Sequence, residues 1–233
     1  DMRPGYGYAG IEDPNKDNLR PENAGIYKID LQTGKKELVI SIKQIAEIPY
    51  ANEDLTDAKH YFNHLLFSPD GGRFIFLHRW RRPKNSQYKN VGGFGTRMLT
   101  ATPDGKDIAV VDDFGYTSHF IWRDPKHILA WARQESHGNR FYLFKDKATN
   151  DSQAIGPEVM TRNGHCTYLP GNQWILNDTY PDNERFQHVY LYNVKTGDKI
   201  ELGKFYSPPE YKGEWRVDTH PRISRDGKLI IID

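Results

Sequence analysis

The chain has 233 residues, 37% hydrophobic and 13% aromatic, which is enough apolar material for a packed core and excludes a disordered chain. Its 32 basic and 31 acidic side chains leave a net charge of +1, so no global field recruits nucleic acid or an anionic membrane surface. The single cysteine, Cys166, excludes an intrachain disulfide and does not decide among cytoplasm, periplasm and exterior, and no run of about 18 apolar residues is present to span a membrane.

Strand signals recur along the chain and helical ones hardly appear. Residues 1–24 are rich in Pro, Gly, Asn and charge and read as a long loop. Gly25 to Leu31 alternates apolar with polar, turns at Gln32-Thr33-Gly34-Lys35 and continues from Glu37 to Ser41, which predicts a hairpin. A second loop is expected at 43–59, with room for one or two helical turns in 43–57. Asn63 to Ser68 then turns at Pro69-Asp70-Gly71 into Arg73 to His78, a strand, a Pro-Asp-Gly turn and a second apolar strand. The basic residues Arg79, Arg81, Arg82 and Lys84 lead into a loop at 84–95, and read either as solvated surface or as an anion-facing rim. The first hairpin phrase returns at Val189 to Val194, with the turn Lys195-Thr196-Gly197-Asp198 and the strand Lys199 to Leu202. The second returns at Thr219 to Ser224, turning at Arg225-Asp226-Gly227 into Leu229 to Ile232.

Alternating these two units builds four-stranded antiparallel meanders, so the expected fold is an all-β propeller in a single domain, 1–233. The expected blades are a partial one at about 24–42, full ones at about 60–113, 116–156 and 162–205, and a partial one at 217–233. Because the chain begins and ends inside blades, unpaired sheet edges would result unless further strands complete them, so this is expected to be part of a longer propeller.

Four histidines hold the same place in the repeat: His64-Leu-Leu-Phe-Ser-Pro-Asp-Gly, His119-Phe-Ile-Trp-Arg-Asp-Pro-Lys, His165-Cys-Thr-Tyr-Leu-Pro-Gly-Asn and His220-Pro-Arg-Ile-Ser-Arg-Asp-Gly. They are roughly 45 to 55 residues apart, the length of one blade, which would bring them together at one mouth. Taken singly, each is a structural imidazole bonded to a neighbouring carbonyl; taken as a set, they suit a metal site or acid/base chemistry. Asp218 stands two residues before His220, and in an extended segment i and i+2 face the same side, so both can address one cation with His165 from the adjacent blade. Imidazole mixed with carboxylate suits Mn²⁺ or Zn²⁺, with Ca²⁺ less favoured where nitrogen dominates. As an alternative, Asp218 is a turn or strand-end residue. His60, His78, His127, His137 and His188 fall outside the register and read as surface or packing residues. Of the tryptophans, Trp122 and Trp131 sit inside apolar strands and read as core, whereas Trp215 lies in a loop-like segment open to ligand contact.

These phrases resemble the oligogalacturonate lyases, seven-bladed propellers of pectin catabolism. Ser118-His119-Phe120-Ile121-Trp122 looks like that family's segment carrying the catalytic histidine. Gly164-His165-Cys166, with a glycine turn and Asp178 after it, resembles the next blade, where a histidine binds the metal, and His220-Pro221 followed by Asp226-Gly227 resembles the last metal-binding histidine. The likeness covers about 95–233. The family has a glutamine and a further histidine shortly before that last histidine; here Trp215 and Asp218 stand instead, and Asp218 can serve as a ligand whereas Trp215 cannot replace the glutamine. His64 matches no family role.

The resemblance implies metal-assisted β-elimination from a uronate-containing, acidic oligosaccharide by a bacterial enzyme. His119 is then the base, with an imidazole pKa suited to neutral pH, and Arg97 the stabiliser of the developing charge, unless it is simply an ion pair on a strand. His165, Asp218 and His220 hold a divalent metal, Mn²⁺ first with Zn²⁺ or Ca²⁺ as alternatives, and His64, Arg216 and Trp215 contact substrate. A different class of reading is a non-catalytic scaffold of the TolB or WD40 kind that binds carbohydrate or protein. A propeller attached to a serine hydrolase finds no Gly-x-Ser-x-Gly elbow in this chain.

Overall fold

The computed structural model describes residues 12–83 and 93–233. Lys84 of the basic run, and parts of the loops expected at 1–24 and 84–95, lie outside the described residues. A hairpin of β1 (Gly25–Ile29) and β2 (Lys36–Ser41) comes first and runs into a short helix, α1 (Ile42–Ala46), capped by the Ser41 hydroxyl accepting from the Gln44 amide at 3.1 Å. Three four-stranded sheets follow, each with its strands in sequence order. The first holds β3 (Lys59–Phe67), β4 (Phe74–Arg81), β5 (Gly95–Ala101) and β6 (Ala109–Gly115). The second holds β7 (Thr117–Asp124), β8 (His127–Gln134), β9 (Gly138–Lys145) and β10 (Ser152–Ala154). The third holds β11 (Cys166–Tyr168), β12 (Trp174–Asn177), β13 (Phe186–Asn193) and β14 (Lys199–Tyr206). A last hairpin, β15 (Arg222–Ile223) and β16 (Ile230–Ile231), has only two residues per strand. The fold is all-β, built of the four-stranded antiparallel blades of a propeller.

Two turn chemistries, each repeated, explain why the phrases recur. In the first, an Asx side chain takes the amides that follow it: Asp30 accepts from Gln32 and Thr33, Asn193 from Lys195 and Thr196, and each turn closes on a left-handed glycine, Gly34 or Gly197. In the second, a hydroxyl donates to an aspartate two residues on, Ser68 to Asp70, Thr102 to Asp104 and Ser224 to Asp226, each at 2.6 Å. The glycine after it, Gly71, Gly105 or Gly227, again takes positive φ, where a side chain would be strained.

The chain divides into two compact units, Asp1–Phe62 with His78–Gly95, and Asn63–Leu77 with Thr96–Asp233. In the first unit Leu55, Ala58 and Trp80 form a small core. Arg82, 7% exposed, is neither solvated nor a rim residue as the sequence suggested: Glu53 and Asp57 pair with it inside this unit. Arg79 instead lies over the Phe94 ring at 4.6 Å. His60 and His78 are fully buried and bonded to each other, Nδ1 to Nε2 at 2.8 Å.

The second unit has two hydrophobic clusters, and β8 supplies both because its side chains alternate. Ile128, Ala130 and Ala132 join Ile75, Leu77, Met98 and Trp122 in one; Leu129 and Trp131 join Phe141, Ile175 and Tyr190 in the other. Trp122 and Trp131 are therefore core residues, each 5% exposed. Asp112 is buried beside the first cluster, with Thr117, Gln134 and the Phe114 amide donating to it. Burial pushes its carboxyl up to about 6 against the pull of those donors.

Candidate metal and acid–base site

All four register histidines belong to the second unit and sit on, or just before, the first strand of a sheet. His119 is the third residue of β7. His165 immediately precedes β11, the neighbouring first strand, and His220 stands two residues before β15. The His119 and His165 ring centroids are 4.2 Å apart, edge to face, and those of His165 and His220 are 3.8 Å apart. His64 is exposed, with its ring edge-on to Phe120 at 6.5 Å. His64 and His220 also differ from the other two in backbone: their φ values are 56° and 35°, a left-handed geometry that costs any residue with a side chain.

Each clustered imidazole is oriented through Nδ1. In His165 that nitrogen contacts both oxygens of buried Asp178, at 3.1 and 3.0 Å, and the His165 amide donates to the same carboxylate. Gly164 makes this approach feasible, because a Cβ there would collide with the Asp178 carbonyl. In His220, Nδ1 lies 3.2 Å from the Asp218 carbonyl and 3.5 Å from an Asp233 carboxylate oxygen. In His119 it lies 2.9 Å from the Asn163 side-chain oxygen. With Nδ1 donating in this way, Nε2 carries the lone pair in each ring, the arrangement typical of metal-ligating histidine and of a positioned base. The Tyr180 hydroxyl lies 3.3 Å from the Nε2 of His119.

Asp218 completes the group. Its Oδ2 accepts from Arg216 Nε at 3.1 Å and Nη2 at 2.8 Å, while its Oδ1 is buried and has no hydrogen-bond partner among the described residues. A buried carboxylate oxygen left in that state is costly unless something positive meets it. One ligand atom each from His165, Asp218 and His220 lie within 4.8 Å of one another. Metal–ligand bonds of about 2.1 Å give a coordination sphere roughly 4 Å across, so these residues fit a divalent ion with little adjustment.

The segment carrying Asp218 and His220 is not in a strand, and side chains hold it instead. Gln187, on β13, donates to the Val217 carbonyl at 2.9 Å and accepts from the Thr219 amide at 3.1 Å. The Thr219 hydroxyl donates to Asp178 at 2.9 Å, linking the segment to the carboxylate that orients His165.

Charge follows this wiring. Burial and the neighbouring His165 ring push the His119 imidazole down to about 4, with the Asn163 bond opposing them. The expectation of an imidazole near its ordinary value is thus not met, and desolvation is the reason. Burial works against the Asp178 charge, but the His165 ring, its amide and Thr219 together hold that carboxyl below its ordinary value.

The other sequence-derived residues lie as follows. Arg97, in β5, is 1% exposed. Trp215 ends a 3-10 turn (Gly213–Trp215) and is 78% exposed, and the Arg216 guanidinium stands over the Tyr180 ring at 4.8 Å. His127 pairs with Asp124, and His188 with Asp182 and Glu201, away from the cluster's own bonds. Sequence reasoning assigned no role to Asn163, Tyr180 or Gln187, and quoted Asp178 without one; each reaches the site through a bond to a residue remote in sequence. Among the described residues no helix is long and apolar enough to cross a membrane.

No protein-family model matches the chain, and no curated protein matches it by sequence. Among solved structures it resembles an oligogalacturonate lyase in complex with manganese, at 16% identity and a TM-score of 0.53, over 88% of this chain and 49% of that one. A Bacteroides uniformis protein provisionally assigned as a 6-phosphogluconolactonase matches at 11% identity and a TM-score of 0.39, over 75% of this chain and 47% of that one, too weak a likeness to argue from. The chain thus spans about half the length of the lyase structure, and at this identity the likeness establishes a distant relation in fold.

Proposed function

We propose that His165, Asp218 and His220 bind a divalent cation, Mn²⁺ foremost, and that with His119 they serve β-elimination on a uronate-containing, oligogalacturonate-like sugar. The observations that carry this reading are that Asp218 brings a carboxylate oxygen within 4.8 Å of ligand atoms of His165 and His220, two imidazoles whose Nδ1 atoms are already committed, and that its buried Oδ1 has no partner among the described residues. The cation, when bound, supplies neutralisation of charge developing on the uronate carboxylate. His119 takes the proton beside that carboxylate at Nε2; that C–H pair forms the ring double bond, and the bond from C4 to its oxygen breaks with its pair on the oxygen, which takes a proton from solvent and leaves as a hydroxyl. Asn163 holds the ring so that Nε2 is unprotonated, and at about 4 the imidazole is neutral throughout the physiological range. Arg97 is assigned to charge stabilisation, and His64, half-exposed Arg216 and exposed Trp215 to substrate, Trp215 as a platform for a sugar face.

A second reading, a non-catalytic metal-bearing scaffold that binds carbohydrate or protein, is favoured by the same low His119 pKa, since a base far below the working pH drives proton transfer weakly. Incubation of the complete protein with saturated and unsaturated galacturonate oligomers, with Mn²⁺ and with chelator, separates the two. The lyase reading expects metal-dependent formation of unsaturated products, abolished in His119→Ala. Metal-loaded protein that turns over neither oligomer defeats it and leaves the scaffold.

A further inference from the structure

We infer that Arg216 determines the metal selectivity of this centre: by holding one oxygen of Asp218, it leaves a cation a single carboxylate oxygen and so disfavours Ca²⁺. The inference rests on the reading of the cluster as a divalent-metal site and goes beyond it.

Both Arg216 contacts converge on Oδ2, from Nε at 3.1 Å and Nη2 at 2.8 Å, and none reaches Oδ1. The Asp218 side chain is 8% exposed and that of Arg216 47%, so the arginine closes the solvent side of a buried carboxylate. The guanidinium is itself positioned, lying 4.8 Å over the Tyr180 ring. Two residues apart in an extended segment, Arg216 and Asp218 face the same way, so the pairing is local and needs no rearrangement elsewhere.

Ligand chemistry then separates the ions. Ca²⁺ takes six to eight oxygens and commonly both oxygens of a carboxylate, whereas Mn²⁺ and Zn²⁺ accept a small set rich in imidazole nitrogen. Two imidazoles and one carboxylate oxygen, with the second oxygen's charge neutralised by a guanidinium, make a poor Ca²⁺ site and an adequate Mn²⁺ or Zn²⁺ site. Without the arginine, Asp218 would offer both oxygens and its full charge.

The test is calorimetric titration of the metal-stripped, full-length protein with Mn²⁺ and with Ca²⁺ separately, for the parent, Arg216→Gln and Arg216→Lys, with Mn²⁺ electron paramagnetic resonance as a second readout. The ratio of Ca²⁺ to Mn²⁺ dissociation constants is expected to fall on the order of tenfold in Arg216→Gln, with Arg216→Lys, which keeps the charge and a single donor group, in between. A parent that binds Mn²⁺ while both variants keep its ratio, including equal weakening for both ions, overturns the inference and leaves the metal centre standing. A parent that binds neither ion overturns the metal centre itself.

Discussion

The chain contains two groups of packed imidazoles, and their difference shows what makes such a group a site. In the first unit His60 and His78 are bonded directly to each other, fully buried, and flanked by Phe62 and Trp80. In the second, the Nδ1 atoms of His119, His165 and His220 each meet a different acceptor outside the histidine set, and the Asp218 carboxylate brings an oxygen within 4.8 Å of ligand atoms of two of the rings. Proximity is common to both groups. The second combines committed Nδ1 atoms, lone pairs on Nε2 and a carboxylate that completes a donor set.

The largest effect should come from removing a donor. His165→Ala or Asp218→Ala is expected to weaken Mn²⁺ binding by at least about 100-fold by titration calorimetry, since one of three protein donors is lost. His78→Leu should leave Mn²⁺ affinity unchanged and instead cost about 1–3 kcal/mol in denaturant unfolding, because the His60 nitrogen bonded to it loses that partner. A His78 variant that abolished metal binding would end the distinction between the groups.

Next come the residues that orient the donors. Asp178→Asn keeps the shape but removes the charge behind His165, and a loss of about 10- to 100-fold in metal affinity is expected. Gln187→Leu deprives the Val217 carbonyl and the Thr219 amide of their partner. It should cost about 2 kcal/mol of stability, and should loosen metal binding less than Asp178→Asn does, because it leaves every donor and the charge behind His165 in place. If Asp178→Asn binds Mn²⁺ as the parent does, its bond to His165 is structural only.

These supporting residues mark where sequence reading stops. The blade repeat was legible because turn chemistry is local: an Asx residue or hydroxyl and a glycine four or fewer positions apart specify each turn. The pairing of Asp218 with His220 was legible for the same reason, through the two-residue period of extended chain. Asn163 reaches His119 across 44 residues, Tyr180 across 61, and Gln187 reaches Thr219 across 32, and none lies in a pattern with its partner. The last hairpin was read as longer than it is: Thr219 to Ile223 lacks a paired strand until Arg222, since side-chain bonds and the left-handed His220 fix that stretch instead. The low pKa of His119 was illegible too, being a consequence of burial and of a neighbouring ring rather than of residue type.

That pKa leads to the smallest expected effect, one hidden by cancellation in the parent. His119 is depressed from 6.5 to about 4, so between those values the unfolded chain binds the proton and the folded chain does not. Its contribution is present above pH 6.5 and is lost as pH falls toward 4, on the order of 3 kcal/mol in full. Asp112 is raised from 3.8 to about 6, so across nearly the same window the folded chain holds a proton that the unfolded chain has released. Its contribution is present below pH 3.8 and is lost as pH rises through 6, again on the order of 3 kcal/mol. The two slopes oppose each other. The carboxyls of Asp104, Asp124 and Asp182, held down near 2, act below this window. In chelator, these two groups together should therefore leave the stability of the parent nearly level between pH 4 and 6. His119→Asn should become less stable as pH rises across that range, and Asp112→Asn more stable, each by about 2–3 kcal/mol in urea unfolding. Parallel profiles for the parent and His119→Asn would mean that the ring titrates near its ordinary value, and that the histidine cluster is wetter than its packing implies.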